Sequence, residues 1–269
     1  MQESQIEING LQVYYKAAGE GQPILILHGW RSSSSSWVKV QEMLGEKGYQ
    51  VIVPDLPGFG KTPPPPPKAS ARQGAPKEVW GVEEYADFVN QFVEQLGLEK
   101  FVLAGHSFGG QIAVQFAAIH SDRVKKLILV APAAIRRKPT LETQVFALIA
   151  KTGSAFVSII PSTKVRELAK KVLYRSIGRR DYARAEGVMR HIFQKIKLQD
   201  MSSLLPKITV PTLMLWGNRD EMTPIQDAYL MQELIPGAML QIIEGGNHAL
   251  NLQTPEKLSN FILEFLKKP

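Results

Sequence analysis

Phe101-Val102-Leu103-Ala104-Gly105-His106-Ser107-Phe108-Gly109-Gly110 is the stretch on which the reading of the fold turns. Phe101 to Ala104 is a short apolar run of the kind a strand buried on both faces requires, and Gly109 to His120 reads as a helix. Between them, Gly105 to Gly109 spells G-x-S-x-G. Glycines on either side of the serine permit a sharp strand-to-helix turn, which would hold the Ser107 hydroxyl at the carboxyl end of a sheet and near the positive end of a helix. The same five residues would also suit a glycine-rich helix start capped by serine, so the rest of the chain has to decide.

Working outward, short β-rich runs alternate with longer helical ones, the pattern of a mostly parallel sheet covered by helices. Ser4 to Ile8 and Leu11 to Ala17 flank Asn9-Gly10, a hairpin signal, so the sheet is expected to open antiparallel. Pro23 to Leu27 and Tyr49 to Pro54 are buried-strand runs. The helix between them is expected over Ser36 to Lys47, with one of Ser32 to Ser36 as its N-cap. Val82, Tyr85, Phe88, Val89, Phe92, Val93 and Leu96 recur at helical spacing, and Gly97 ends the run. Leu127 to Val130 is a further strand.

From Pro132 to Pro206 the β-rich runs stop and helical periodicity takes over, as at Val165, Leu168, Ala169, Val172 and Leu173. The alternation resumes with strand Thr212 to Trp216, helix Ile225 to Leu234, strand Met239 to Ile243 and helix Pro255 to Leu266, whose proline suits a first turn. This predicts a core formed by residues 1–131 and 207–269, interrupted by a helical insert over residues 132–206.

Composition narrows the chemistry. The 269 residues are 44% hydrophobic and 21% charged and include no Cys, which excludes disulfides, thiolate nucleophiles and cysteine-zinc sites. The net charge of +7 is unevenly spread: residues 132–206 hold 15 Lys+Arg and 5 Asp+Glu, the remainder 17 and 20. The excess therefore lies in the insert, as a solvated exterior or a surface for anionic partners or substrates, and no nucleic-acid surface is expected on the core. The first ten residues show no secretory pattern, and the apolar stretch Val145 to Ile160 is broken by Lys151 and Gly153. A cytoplasmic protein without an integral membrane segment is expected. Pro63 to Pro67 reads as a stiff extended surface loop.

A serine hydroxyl needs a base, and the base needs an acid to hold its tautomer. His248 in Gly245-Gly246-Asn247-His248 follows a strand and precedes the last helix, so its loop can reach Ser107. Asp220 follows strand Thr212 to Trp216 one crossover earlier, with Glu221 as an adjacent competitor. The order Ser, acid, His suits this kind of sheet. For the anionic oxygen of an attacked carbonyl, the backbone amides of Trp30, after His28-Gly29, and of Phe108 are the expected donors. His28 and His106 are expected to brace loops. Gly60-Lys61-Thr62 mimics the end of a phosphate loop, but the first glycine is missing at Asp55 and prolines occupy the place of the helix. Neither a metal nor any other cofactor is expected.

Taken together, His28-Gly29-Trp30, Asp55-Leu56-Pro57-Gly58-Phe59-Gly60, Gly105 to Gly110, Trp216 to Asp220 and Gly246-Asn247-His248 resemble the α/β-hydrolase superfamily, in that family's order and over nearly the whole chain. The resemblance implies an α/β fold with an eight-stranded, mostly parallel sheet and a helical cap inserted after the sixth strand. It also implies Ser107, Asp220 and His248 as nucleophile, acid and base, with oxyanion amides at Trp30 and Phe108. A serine at position 107 speaks against the related epoxide hydrolases and haloalkane dehalogenases, which use Asp. The expected activity is hydrolysis of a small-molecule carboxylic ester, with Phe146, Leu148, Ile149, Phe156, Val157, Ile159 and Ile160 of the cap lining an apolar acyl pocket or forming the cap's own core. Alternatives sharing the triad are hydrolysis of a C–C bond, a thioester or a lactone, and peracid formation. From another class, a small-molecule receptor on the same scaffold remains open.

Overall fold

The computed structural model describes residues 1–66, 79–136 and 187–268. An eight-stranded sheet runs through it: β1 (Gln2–Ile8), β2 (Leu11–Ala18), β3 (Gln22–Leu27), β4 (Tyr49–Pro54), β5 (Phe101–His106), β6 (Val124–Val130), β7 (Thr212–Gly217) and β8 (Met239–Ile243), in the spatial order β1-β2-β4-β3-β5-β6-β7-β8. The β1–β2 and β2–β4 pairs are antiparallel and the other pairs parallel. The hairpin forms at Asn9-Gly10, both at positive φ (49° and 79°), the conformation a two-residue turn of this twist requires.

The central strands are buried on both faces, as their unbroken apolar runs demand. Because side chains alternate, β3 sends Leu25 and Leu27 into one core layer and Ile24 and Ile26 into the other. The first layer lies under α2 (Val82–Gln95) and α3 (Phe108–Ile119), the second under α1 (Val38–Gly45) and α7 (Pro255–Lys267). The helices α4 (Gly187–Leu198), α5 (Ile225–Leu234) and the single turn α6 (Leu250–Gln253) complete the described elements. In α2 the expected apolar stripe is buried from Val82 to Val93, and the Glu84 carboxylate caps the helix by accepting the Gly81 N–H.

Three local expectations change. The segment after β3 begins as a tight 3-10 turn, Ser34–Trp37, and the α-helix starts only at Val38. Ser33 occupies the N-cap position but makes no side-chain capping bond; the serine hydroxyls bond one another instead, Ser32 to Ser36 at 2.7 Å. The α6 turn was not anticipated, four residues being too few to show periodicity. Third, β5 extends through Gly105 and His106, and α3 begins at Phe108, leaving Ser107 alone between strand and helix. Phe146 to Ile160, expected in a cap, the run Val165 to Leu173 and Pro67 lie outside the described residues. No helix among the described residues is long and apolar enough to cross a membrane.

The phosphate-loop mimic proves to be a brace. Buried Asp55 accepts the Ser34 N–H at 2.7 Å on Oδ1 and the Lys61 N–H at 2.8 Å on Oδ2, while Thr62 Oγ1 accepts the Tyr14 N–H at 3.0 Å. A carboxylate thus ties the loops after β3 and β4 together. Asp55→Ala strands the buried Ser34 amide and the partly buried Lys61 amide and should lower unfolding free energy by about 1–3 kcal/mol, measured by urea denaturation; an unchanged midpoint would remove the brace from this account.

Candidate active site

The carboxyl ends of β3 and β5 lie side by side, while β4 lies on the far side of β3, so strand order reverses there, the position at which open α/β sheets form their binding crevice. Gly105 and Gly109 make the elbow possible. A Cβ on Gly105 would collide with the backbone of Gly109 and Gly110, and one on Gly109 with the Leu27 and His28 carbonyls. Ser107, pinched between them, has φ 52° and ψ −114°, a strained conformation for a side chain with a Cβ. Its backbone is held by Ser107 N–H to Val130 O at 3.1 Å and by Ala133 N–H to Ser107 O at 2.9 Å. Arg31 and Ala131, also at positive φ, sit just beyond β3 and β6, so backbone strain concentrates at this edge.

Asp220 and His248 are brought together by the adjacency of β7 and β8. Gly217 and Gly246 touch backbone to backbone, which draws the two turns close. His248 Nδ1 lies 2.7 Å from Asp220 Oδ2. Glu221 is exposed and is not the partner. Asp220 Oδ1 accepts the Met222 and Thr223 amides at 2.8 and 2.9 Å, and Oδ2 also accepts the Thr223 hydroxyl at 2.7 Å. Burial opposes ionisation of Asp220, but the bond and charge of His248 together with the Thr223 bonds outweigh it and hold the carboxyl below its ordinary range. An anionic Asp220 keeps the proton of neutral His248 on Nδ1. Nε2 is therefore the free lone pair, and it is buried without a hydrogen-bond partner among the described residues.

Two neutral histidines brace this edge, as the sequence reading expected of them. His28 Nε2 accepts the Leu56 N–H at 3.0 Å, so its proton is on Nδ1, which donates to Gly29 O at 2.8 Å; Ser32 N–H reaches the same carbonyl at 3.2 Å. In a trans peptide the C=O and the next N–H point in opposite directions, so anchoring Gly29 O also aims the Trp30 N–H. A Cβ on Gly29 would lie 3.3 Å from Ser107 Cβ, which puts this peptide against the serine. His106 Nε2 donates to His248 O at 2.8 Å, and the two rings lie 4.9 Å apart. Burial pushes His28 down to about 4 and His106 to about 3.

A further wall is α4, the helix that precedes β7. Phe193 stacks at 5.0 Å on Trp30, whose indole also meets Phe59 at 4.8 Å and Phe108 at 5.5 Å. The helix is docked by polar bonds: Gln111 Nε2 to Ile196 O and Gln199 O (3.2 and 2.9 Å), Val82 N–H to Gln199 Oε1 (2.9 Å) and Lys195 Nζ to Val79 O (2.8 Å). Phe59, Phe193 and Thr223 were not singled out from sequence. Their only signal is position: Phe59 between two glycines of the loop after β4, Thr223 three residues beyond the acid, and Phe193 on an amphipathic helix.

Histidines with lowered values stay uncharged in the fold while the unfolded chain takes up protons below about 6.5. Stability is therefore full above that pH and declines as pH falls toward the folded values. Thermal melts between about pH 7.5 and 5 should show a falling midpoint, with a shallower slope in His106→Gln; an identical slope in that variant would contradict a neutral, buried His106.

With this geometry in place, similarity to known proteins becomes informative. A profile of the alpha/beta hydrolase fold matches residues 22–158 and 161–255. The chain is 27% identical over 96% of its length to a 2-hydroxy-6-oxononadienedioate/2-hydroxy-6-oxononatrienedioate hydrolase of Burkholderia vietnamiensis, covering 92% of that protein. It is 28% identical over 92% of its length to a monoacylglycerol lipase of Homo sapiens, covering 76% of it. Among solved structures, a thermophilic esterase from Thermogutta terrifontis superimposes with a TM-score of 0.71 at 28% identity, covering 99% of this chain and 98% of that one. The eight-stranded sheet and the profile agree, and the chain belongs to the alpha/beta hydrolase fold family.

Proposed function

We propose that the protein is a serine hydrolase that cleaves a small-molecule carboxylic ester through an acyl-enzyme. The observation that carries this reading is the His248 Nδ1–Asp220 Oδ2 bond at 2.7 Å, which leaves Nε2 buried and without a partner among the described residues, on a ring 4.9 Å from that of His106, the residue before the strained Ser107. In the proposed cycle Ser107 Oγ attacks the ester carbonyl carbon while His248 Nε2 takes the hydroxyl proton. The charge that develops on the carbonyl oxygen faces the Trp30 and Phe108 N–H groups, which no described residue occupies. Collapse breaks the C–O bond, and the alcohol leaves with the proton from His248. Water, deprotonated by His248, then attacks the acyl carbon and releases the acid and Ser107.

The residues 132–206 are proposed as the cap. Supporting this, Met201 N–H bonds Ala134 O at 2.9 Å and Arg136 N–H bonds Asp200 Oδ1 at 3.1 Å, so the chain leaves and rejoins the core at one clasp. The aromatic wall of Trp30, Phe59, Phe108 and Phe193 supports an apolar acyl group of small to medium size. The positive charge of residues 132–206 favours a second reading, in which the substrate is anionic, like the dioate in the name of the Burkholderia relative, and the bond broken is C–C.

Turnover of p-nitrophenyl esters from acetate to laurate should be greatest for the shorter half and should fall at least about a thousandfold in Ser107→Ala and in His248→Ala. A fluorophosphonate probe should label wild type and not Ser107→Ala. Wild-type silence toward all esters, with cleavage of a carboxylate-bearing vinylogous diketone, would favour the second reading; labelling and turnover that survive Ser107→Ala would remove both.

A further inference from the structure

The Thr223 side chain has one proton and three oxygen or nitrogen neighbours: Asp220 Oδ2 at 2.7 Å, His248 Nδ1 at 3.3 Å and Ala131 O at 3.5 Å. The shortest contact is to an anionic oxygen, and a charge-assisted O–H···O⁻ bond outcompetes the other two for the proton. With its hydrogen spent on Oδ2, Thr223 Oγ1 turns lone pairs toward His248 Nδ1. Nδ1–H then faces two acceptors, the carboxylate and the hydroxyl, and none of its near neighbours donates to it. A ring rotated to present Nε2 to Asp220, or a tautomer with the proton on Nε2, gives up this arrangement.

Thr223 itself cannot drift. It is buried, its N–H is bonded to Asp220 Oδ1 at 2.9 Å, and its carbonyl accepts the Trp216 indole N–H at 2.8 Å from a ring with no exposed surface. The hydroxyl is therefore placed by backbone bonds on both sides, independently of anything that binds in the crevice.

We propose that Thr223 is a positioning residue whose hydroxyl fixes the orientation and tautomer of the Asp220–His248 pair and tempers the basicity of the carboxylate. This rests on the triad reading above and deepens it. The hydroxyl takes up part of the negative charge on Oδ2, so removing it leaves a carboxylate that stabilises the imidazolium more strongly. Among the described residues, the titratable and polar groups in contact with the His248 ring are Asp220 and Thr223 from the turn after β7 and neutral His106 at the end of β5.

The test compares wild type, Thr223→Val, which keeps the shape without the hydroxyl, and Thr223→Ser, which keeps the hydroxyl. Two readouts are used: the pH profile of kcat/KM on the best ester, and the titration of the His248 imidazole followed by NMR in the unliganded protein. In Thr223→Val the acid limb and the His248 titration should both move to higher pH by roughly half a unit, and kcat should fall several-fold with little change in KM. Thr223→Ser should restore both toward wild type. A Val variant whose melting point drops while its pH profile and His248 titration match wild type would overturn the proposal and leave a packing role. Because the NMR titration needs no turnover, failure of the esterase reading appears separately, as wild-type and Ser107→Ala proteins that are equally inactive.

Discussion

At the carboxyl edge of the sheet, backbones meet where no Cβ would fit. Gly109 abuts the carbonyls at the end of β3, Gly105 abuts the start of α3, and Gly217 abuts Gly246. These contacts bring four strand ends, contributed by distant parts of the chain, within reach of one crevice. They also force Ser107 into a conformation it would not adopt alone. The strain is tolerated because its neighbours are overdetermined: β5 has a partner strand on each side, and both of its flanking strands are buried on both faces. Core packing fixes the edge, and the edge fixes the serine.

Polar order at this edge comes from groups that carry no charge themselves. His28 and His106 are used as shaped donors, each aimed at a backbone carbonyl, one behind the Trp30 peptide and the other behind His248. Burial keeps them neutral, and neutrality leaves Asp220 as the carboxylate bonded to His248. The arrangement separates two tasks: apolar layers supply stability, and a few buried polar side chains supply direction.

Much of this was legible in the chain. The strands were readable because burial on both faces leaves unbroken apolar runs, and α2 because one buried face repeats every three to four residues. Asp220 and His248 were singled out from their places after strands, and the fold brings the two side chains into contact. What escaped reading was set by tertiary contact. The 3-10 turn at Ser34–Trp37 forms where Asp55, 21 residues away, takes the Ser34 amide. Thr223 looks like any turn threonine until Trp216 and Asp220 are placed around it. The aromatic wall joins Phe59, Phe108 and Phe193 through Trp30, and no local period connects them.

The clasp at Ala134 and Met201 has a consequence for how such a chain can diversify. Since the excursion between them starts and ends at a hydrogen-bonded pair, its length enters stability only through loop closure, which grows slowly with residue number. A lineage, or an engineer, could therefore vary residues 137–186 in length and content while the sheet, the elbow and α4 are inherited unchanged. The docking of α4 would survive such an exchange, Phe193 against Trp30 included: the indole that meets this helix belongs to the residue after Gly29, which packs against Ser107.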